Sequence, residues 1–307
     1  DDPFNDVVVR GDYSARSNLT VQGDLDVLEG CLSTLSRLLT LEGDFNSLGE
    51  GKFYGGSVDF NGKLSAFTGL ANAGITIDTT GGSVSNGGNV VLSGVDNTGG
   101  AFLETLNVVM DSSGGTAGTL RLGGDVQLSH QGGAAATTGF IVSGTGAKIA
   151  LDQSTNISTG NGQVELSAAQ VYASAATPLD LTINTGSGNI FLNAFTDNAG
   201  TGKHLNDVLV TSSADVTLTG DINLDNDAAD LASFAVNGGG SVVVNGNVTI
   251  DTEQGNTGSA GDIDLTATLV KEGTPSSSLI LDASISSGGG NAGNVLLGQV
   301  GDTGAYL

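Results

Sequence analysis

One short stretch of the sequence carries side chains that could bind a metal ion. Asp225, Asp227 and Asp230, in the segment LDNDAADL, place carboxylate oxygens two and three residues apart in a predicted loop. Calcium prefers several oxygen ligands of this kind. The segment lacks the glycine and the distal glutamate of an EF-hand loop, and the glycine-rich nonapeptide of calcium-binding toxins is missing from the sequence. A bound Ca²⁺ ion here is therefore a hypothesis based on ligand chemistry alone.

Residues suited to catalysis are scarce. A polysaccharide lyase needs carboxylates for a cation and a basic side chain near the proton beside a uronate. A glycosidase needs two carboxylates about 5 to 9.5 Å apart, and the many aspartates do not single out a pair. His130 and His204 are far apart in sequence, and the basic residues beyond residue 70 are isolated from one another: Arg121, Lys148, Lys203 and Lys271. We therefore expect no enzymatic activity.

The charge of the chain limits its partners. There are 33 acidic and 9 basic residues, a net charge of −24 that is spread along the chain. With so few cations to neutralise phosphates, nucleic acid is excluded as a partner, whereas cations and basic partners are favoured. A second interpretation is purely structural. Aspartate is a good turn residue, and an acidic surface keeps a fibrous protein in solution.

Composition indicates a chain that turns often. Glycine makes up 50 of 307 residues, about 16%, against roughly 7% in average proteins. Glycine adopts positive φ angles at no steric cost, which suits frequent sharp corners. The single cysteine, Cys31, excludes an internal disulfide. No apolar run is long enough to span a membrane, so we expect no membrane span, and the start at Asp1 suggests a processed or excised segment.

The elements between the corners are predicted to be short strands. From about residue 70 onward, apolar residues alternate with polar ones in runs of three to five residues, which is the pattern of half-buried strands. Each run is bounded by Gly, Asn, Asp, Ser or Thr. Clear examples are ITI at 75–77, LRL at 120–122, NIFL at 189–192 and DVTL at 215–218.

These runs repeat as a group. ISTGNGQVEL begins at Ile157, INTGSGNIFL at Ile183, VTSSADVTL at Val210 and VNGGGSVVV at Val236, so the starts are almost evenly spaced. A unit of roughly this size, with two or three strands and glycine-rich corners, has the dimensions of one solenoid coil. Stacking the coils predicts that Val216 lies against Val242 and Leu218 against Val244.

The N-terminal part of the chain, 1–70, differs from the rest in being richer in leucine and charge. The segments DVVVRG at 6–11 and NLTVQGDLDVLEG at 18–30 are strand-like, whereas LEGCLSTLSRLLTLEG at 28–43 could also form a short helix. We interpret residues 1–70 as an irregular N-terminal cap or irregular first coils, and residues 71–307 as the solenoid repeat region. An uncovered solenoid end is an open sheet edge, so the first strand could serve in assembly.

The GxVxLxGxVxLxx units and the corner Asn184-Thr185-Gly186-Ser187-Gly188-Asn189 resemble the β-strand repeats of large bacterial surface proteins. These include filamentous-haemagglutinin-like adhesins and autotransporter passengers. The resemblance covers about residues 75–300, and its motifs are short. It implies a right-handed parallel β-helix on the outside of a bacterium, with a role in adhesion, biofilm or a surface layer. It carries over no catalytic residue.

The sequence thus predicts an all-β fold, a parallel β-solenoid (right-handed β-helix) with short strands and Gly/Asn/Asp-rich corners. We expect a secreted structural or adhesive cell-surface module that associates with further copies of itself. A polysaccharide or a host or matrix component could also be its partner. The alternatives are a polysaccharide-binding module and, on fold analogy alone, a polysaccharide lyase or hydrolase.

Overall fold

The computed structural model describes most of the chain. The described residues are 4–14, 17–23, 25–29, 31–33, 39–41, 45–47, 50–54, 57–60, 64–66, 74–80, 87–95, 103–111, 116–130, 139–175, 178–196, 203–224, 232–253, 259–285 and 290–301. All regular secondary structure among them is β-strand.

The strands are short, as the alternating runs predict. In chain order they are β1 Val7–Arg10, β2 Tyr13–Ser14, β3 Leu19–Val21, β4 Leu25–Glu29, β5 Cys31–Ser33, β6 Leu39–Leu41, β7 Phe45–Ser47, β8 Glu50–Tyr54, β9 Val58–Phe60, β10 Leu64–Ala66, β11 Gly74–Asp78, β12 Val90–Leu92, β13 Thr105–Val109, β14 Thr119–Leu122, β15 Val126–His130, β16 Gly139–Ser143, β17 Ala147–Leu151, β18 Thr155–Gly160, β19 Gln163–Leu166, β20 Ala169–Ala173, β21 Leu181–Gly186, β22 Ile190–Leu192, β23 Val208–Ser212, β24 Val216–Leu218, β25 Ile222–Asn223, β26 Phe234–Asn237, β27 Ser241–Val244, β28 Asn247–Asp251, β29 Ile263–Glu272, β30 Ser278–Asp282 and β31 Val295–Val300.

Successive coils stack through parallel strand pairs. The strands fall into three columns, which the chain visits in the same order in each complete coil. In one coil these are β21, then β22, then a bridge at Phe195; in the next they are β23, β24 and β25. The third column can be followed through paired residues from one end to the other: Leu19, Leu39, Val58, Val90, Leu120, Ile149, Val171, Phe195, Ile222, Ile250 and Leu281. This arrangement confirms the predicted all-β parallel solenoid.

The predicted register is confirmed where the repeat was clearest. Val216 pairs with Val242 and Leu218 with Val244. The four repeat starts also lie in one column, since Ile157 pairs with Ile183, Ile183 with Val210, and Val210 with Val236. The third column departs from this even spacing, because Ile222 pairs with Ile250 rather than with Val248. The intervening corner absorbs this two-residue difference.

The core lies inside the stack of coils. In strands whose side chains the structure describes, alternate residues point inward, as in β24 and β27, where the inward valines and leucine are fully buried and the residue between them is partly exposed. The largest fully buried side chains include four aromatic rings spaced along the chain: Phe60, Phe140, Phe195 and Phe234. We call the inward-facing side chains of a strand its inner row. Each inner row is covered by the coils on either side, so a coil is stable only within the stack.

Corners are tightened by buried hydroxyl groups and by glycine. Thr185 Oγ1 donates a hydrogen bond to the carbonyl oxygen of Gly188 at 2.6 Å, and Ser212 Oγ of the next coil donates to the same oxygen at 2.8 Å. Gly186 has a φ of +60°, which favours glycine. A Cβ atom on Gly188 would lie 2.1 Å from the carbonyl oxygen of Gly162 in the preceding coil, so a side chain there would push two coils apart.

A second corner carries a ladder of polar side chains between coils, which we call the aspartate ladder: Ser154, Asp180, Asp207, Ser233, Asp262 and Asn294. Asp180 N–H donates to Ser154 Oγ at 3.0 Å, and Asp207 N–H donates to Asp180 Oδ1 at 3.2 Å. Ser233 N–H donates to Asp207 Oδ1 at 2.9 Å, and Asn294 N–H donates to Asp262 Oδ1 at 2.7 Å. Ser154 and the three aspartates thus each accept a backbone hydrogen bond from the neighbouring coil. Part of the acidic composition therefore has a structural use.

The N-terminal region joins the same columns. β8 pairs with β11 and β9 with β12, so the described strands before and after residue 70 belong to continuous sheets. Here the coils are shorter, since Leu19 pairs with Leu39 and Leu39 in turn pairs with Val58. Within the segment that could also form a helix, the described parts are strands, among them β5 and β6. The division at residue 70 stays a prediction.

Candidate functional site

The predicted calcium ligands Asp225, Asp227 and Asp230 lie outside the described residues. The segment that contains them follows β25. Asn223 on β25 pairs with Asp251 on β28, and Asp251 pairs with Asp282 on β30. Burial raises the pKa of Asp251, and the neighbouring carboxylates of Asp282 and Glu253 raise it further. No group of three or more His, Cys, Asp or Glu residues in the described part of the chain is arranged to hold a metal ion.

A mixed-charge cluster occupies the outer face of the third column, and we call it the Arg121 cluster: Arg121, Asp152, Tyr172, Ser174 and Lys203. Arg121 on β14 contacts Asp152 at two points, Nη2 to Oδ1 at 2.8 Å and Nε to Oδ2 at 3.3 Å. Ser174 Oγ donates to Asp152 Oδ1, and Lys203 Nζ donates to the carbonyl oxygen of Ser174 at 2.9 Å. Arg121 thus contacts Asp152 directly, and Lys203 is linked to Asp152 through Ser174.

Tyr172 lies in the same outward row as Arg121. Along the column, Arg121 pairs with Ala150 and Ala150 pairs with Tyr172. Ala150 and Tyr172 both face outward, yet both are buried. Burial also raises the pKa of Tyr172.

The guanidinium of Arg121 stays accessible although it is held in place. Its side chain is 52% exposed. The contact with Asp152 uses the Nε and Nη2 edge, so the edge formed by Nη1 and Nη2 points away from that carboxylate. The hydrogen bond with Asp152 raises the pKa of Arg121, so the group is charged throughout the physiological range. The cluster therefore presents a fixed positive charge on an acidic protein.

The sequence did not reveal this cluster, because its members are isolated in the chain. Arg121, Asp152, Ser174 and Lys203 follow one another at intervals of about one coil. Lys148 lies on the same outer face, paired with Thr119 and Gln170. Three of the four basic residues beyond residue 70 thus lie on neighbouring coils. Coil-length spacing between rare basic residues was the available signal.

The N-terminal end of the stack exposes apolar residues of the inner row. Phe4 pairs with buried Val21 in the third column, and Tyr13 pairs with buried Leu32 in the second. Phe4 itself is 54% exposed and Tyr13 is 53% exposed. A hollow of about 430 Å³ opens at this end and is lined in part by Phe4, Tyr13 and Leu19.

The C-terminal end is similar. Val295 and Leu297 pair with Ile263 and Leu265 in the first column, and Val300 pairs with Val270 in the second. The residues on β29 are fully buried, whereas those on β31 are 42%, 42% and 52% exposed. Inner-row side chains at this end therefore face solvent only because no described strand lies above them.

The column at which the chain stops at one end is followed, in order, by the column at which it starts at the other end, and we therefore call the two ends in phase. At the C-terminal end, the chain has filled the third column at β30 and then the first and second columns along β31, so the third column comes next. At the N-terminal end, Phe4 occupies the third column, followed by β1 in the first and β2 in the second. A copy stacked on the C-terminal end would thus continue the columns in the correct order.

Among the described residues, no helix is long and apolar enough to cross a membrane. No family model matches the sequence, and no significant match to it is found among curated proteins or solved structures. The fold is a parallel β-solenoid, and the resemblance to bacterial surface adhesins stays an expectation from the repeat motifs.

Proposed function

We propose that this chain is a secreted structural and adhesive module of a bacterial cell surface, in which copies associate end to end. The observation that carries the proposal is the pair of ends, which expose inner-row apolar side chains and are in phase. The proposal assigns the chain no catalytic activity.

The chemistry of the two ends favours this mode of association. The edges of β1 and β31 present backbone N–H and C=O groups that can pair with a further parallel strand. Stacking would also remove Phe4, Tyr13, Leu297 and Val300 from water. A contact between two different ends is heterologous and does not close on itself, so it generates filaments.

The sides of the stack are less suited to association between copies. The net charge of −24 is distributed along the chain, so the sides of two copies repel each other at low ionic strength. Burial of the ends involves mostly apolar atoms and is less sensitive to salt. End-to-end contact is therefore the mode of self-association that the charge distribution disfavours least.

The test is electron microscopy and light scattering of the purified chain at several concentrations. We expect filaments or a concentration-dependent series of oligomers. Leu297→Lys places a charge in the exposed inner row and should abolish them. Leu209→Lys is the matched control, because Leu209 is an outward-facing, 36% exposed leucine on β23, which is separated from β31 by β26 and β29, and it should leave assembly unchanged.

A monomer at all concentrations would contradict the proposal and would leave the ends to be covered by other polypeptide. Equal loss of assembly in both lysine variants would also contradict it, because the ends would then have no special role. The same samples with and without a calcium chelator test the predicted metal site. Loss of filaments on chelation supports calcium binding by the acidic loop, and unchanged filaments argue against a role for calcium in assembly.

A second candidate function, polysaccharide binding, is favoured by one observation. The Arg121 cluster concentrates rare cations on one outer face of the stack.

A further inference from the structure

We infer that the Arg121 cluster, with the adjacent Lys148, is a binding site for an anionic saccharide. Its ligand class is a sugar chain that carries carboxylate or sulfate groups. The inference does not depend on end-to-end association, because all of these residues lie on the side of the stack.

The local charge of this face favours an anionic ligand. Arg121, Lys148 and Lys203 lie on or next to three consecutive strands of the third column, in a chain that has only 9 basic residues. The strand spacing of about 4.8 Å and the two-residue diagonal place Arg121 Cα and Lys148 Cα about 8 Å apart. Two carboxylates lie near these three cations: Asp152 within the cluster, and Asp59 in the same outward row as Arg121, two coils away. The face is therefore a local positive region on a negative protein.

The cluster is also preorganised for binding. Asp152 holds the guanidinium of Arg121 at two points, and the hydroxyl of Ser174 fixes Asp152 in turn. The free edge of the guanidinium matches the two oxygens of a carboxylate or a sulfate group. A side chain that is already fixed loses less conformational entropy when it binds a ligand. The ammonium of Lys203 is also fixed, by the carbonyl oxygen of Ser174, and keeps further N–H donors.

The extent of the face and its neighbouring polar groups suit a saccharide chain. The cations extend over three coils, about 10 Å along the stack, which suits an extended chain better than a small free anion. Thr119 and the exposed Gln170 flank Lys148 on the same face and can hydrogen-bond sugar hydroxyls.

The experiment is isothermal titration calorimetry of the full chain in about 0.15 M salt, where charges more than about 8 Å apart are largely screened. The probes are tri-galacturonate, which carries carboxylates, and a heparin-derived tetrasaccharide, which carries sulfates. Maltotriose is the neutral control and tri-glutamate is the acidic peptide control. We expect one or both anionic saccharides to bind with a Kd tighter than about 1 mM. Neither control should bind.

Two variants locate the site. Arg121→Ala should weaken binding about tenfold or more, because it removes a hydrogen-bonding cation. Lys271→Ala is the matched control, since Lys271 forms an ion pair with Asp215 at 3.2 Å on another column. It should change the affinity less than about twofold. Circular dichroism spectra and melting curves check that both variants fold.

Binding of the uronate probe with this dependence on Arg121 identifies carboxylate as the ligand group, and the same dependence for the heparin probe alone identifies sulfate. Three results would overturn the inference. They are no binding of either saccharide, binding that is equally weakened by Arg121→Ala and Lys271→Ala, and equal binding of tri-glutamate.

Discussion

The aspartate ladder makes a quantitative prediction about what the acidic residues do. Asp180 Oδ1 accepts hydrogen bonds from Asn206 Nδ2 at 2.9 Å and from Asp207 N–H at 3.2 Å, both in the next coil. Asp180→Ala removes the acceptor of both bonds. Asp180→Asn keeps an amide oxygen at the same place and removes only the charge. The two variants therefore separate the hydrogen bonds from the charge.

The expected magnitudes follow from these contacts. A hydrogen bond to a charged group contributes about 1.5 to 3 kcal/mol. Asp180 is partly exposed, so water replaces part of what is lost, whereas the side chain of Asn206 is buried. We expect Asp180→Ala to lower the free energy of unfolding by about 2 kcal/mol and Asp180→Asn to change it by less than about 1 kcal/mol. The hydrogen bonds to the neutral asparagine are weaker than those to the aspartate. Part of this loss of stability is offset because the variant has one negative charge fewer in a chain with a net charge of −24.

The assay combines urea unfolding with hydrogen exchange of the amide of Asp207. In the alanine variant, this amide should exchange faster, and the loss of protection should extend mainly to adjacent coils, because each coil contacts only its neighbours. If the asparagine variant were as unstable as the alanine variant, the charge and not the acceptor would matter. If that shared instability appeared only with calcium present, Asp180 would be a metal ligand and the structural explanation would be wrong.

Two further variants test the core and the carboxylate of Asp251. Leu218 lies between Leu192 and Val244, and Leu218→Ala should lower the free energy of unfolding by about 2 to 5 kcal/mol. The loss of protection from hydrogen exchange should be concentrated in those coils. A loss of protection spread evenly along the chain would contradict local coupling between stacked coils. Because burial raises the pKa of Asp251 above its ordinary 3.8, its contribution to stability falls as pH rises through the folded-state pKa. Asp251→Asn keeps an acceptor for Glu253 N–H and should raise the melting temperature at neutral pH while flattening its pH dependence above pH 3.8; an unchanged pH profile would show that Asp251 is not the group responsible.

The sequence was sufficient to predict the fold class and part of the register. Val216, Leu218, Val242 and Val244 could be paired in advance because the strands and their first corner have the same length in both coils. The register of Ile222 could not be predicted, because the next corner differs by two residues between coils. The third column shows how variable the corners are: its shortest pairing step joins Leu39 to Val58 and its longest joins Val58 to Val90, so no single period could align the chain.

The candidate site was not predictable for a related reason. Asp152, which contacts Arg121, and Ser174, which contacts Lys203, meet only because corners of different length bring β14, β17 and β20 into adjacent positions. Alternation within a strand indicates which side chains point outward, but it does not indicate which coils those side chains share. Because the register depends on corners of variable length, clusters on the outer face are harder to predict from the sequence than the core, where any apolar residue can pack against another.

The aspartate ladder also connects the charge of the chain to its proposed assembly. Asp180, Asp207 and Asp262 each accept a backbone hydrogen bond from the next coil, so stacking more coils adds acidic residues at a corner. The resulting negative sides repel one another, whereas the ends carry apolar inner rows. The interaction that holds coils together thus itself disfavours lateral contact between copies. This reasoning predicts that added salt should promote lateral bundling of any filaments formed, while leaving their end-to-end contacts intact.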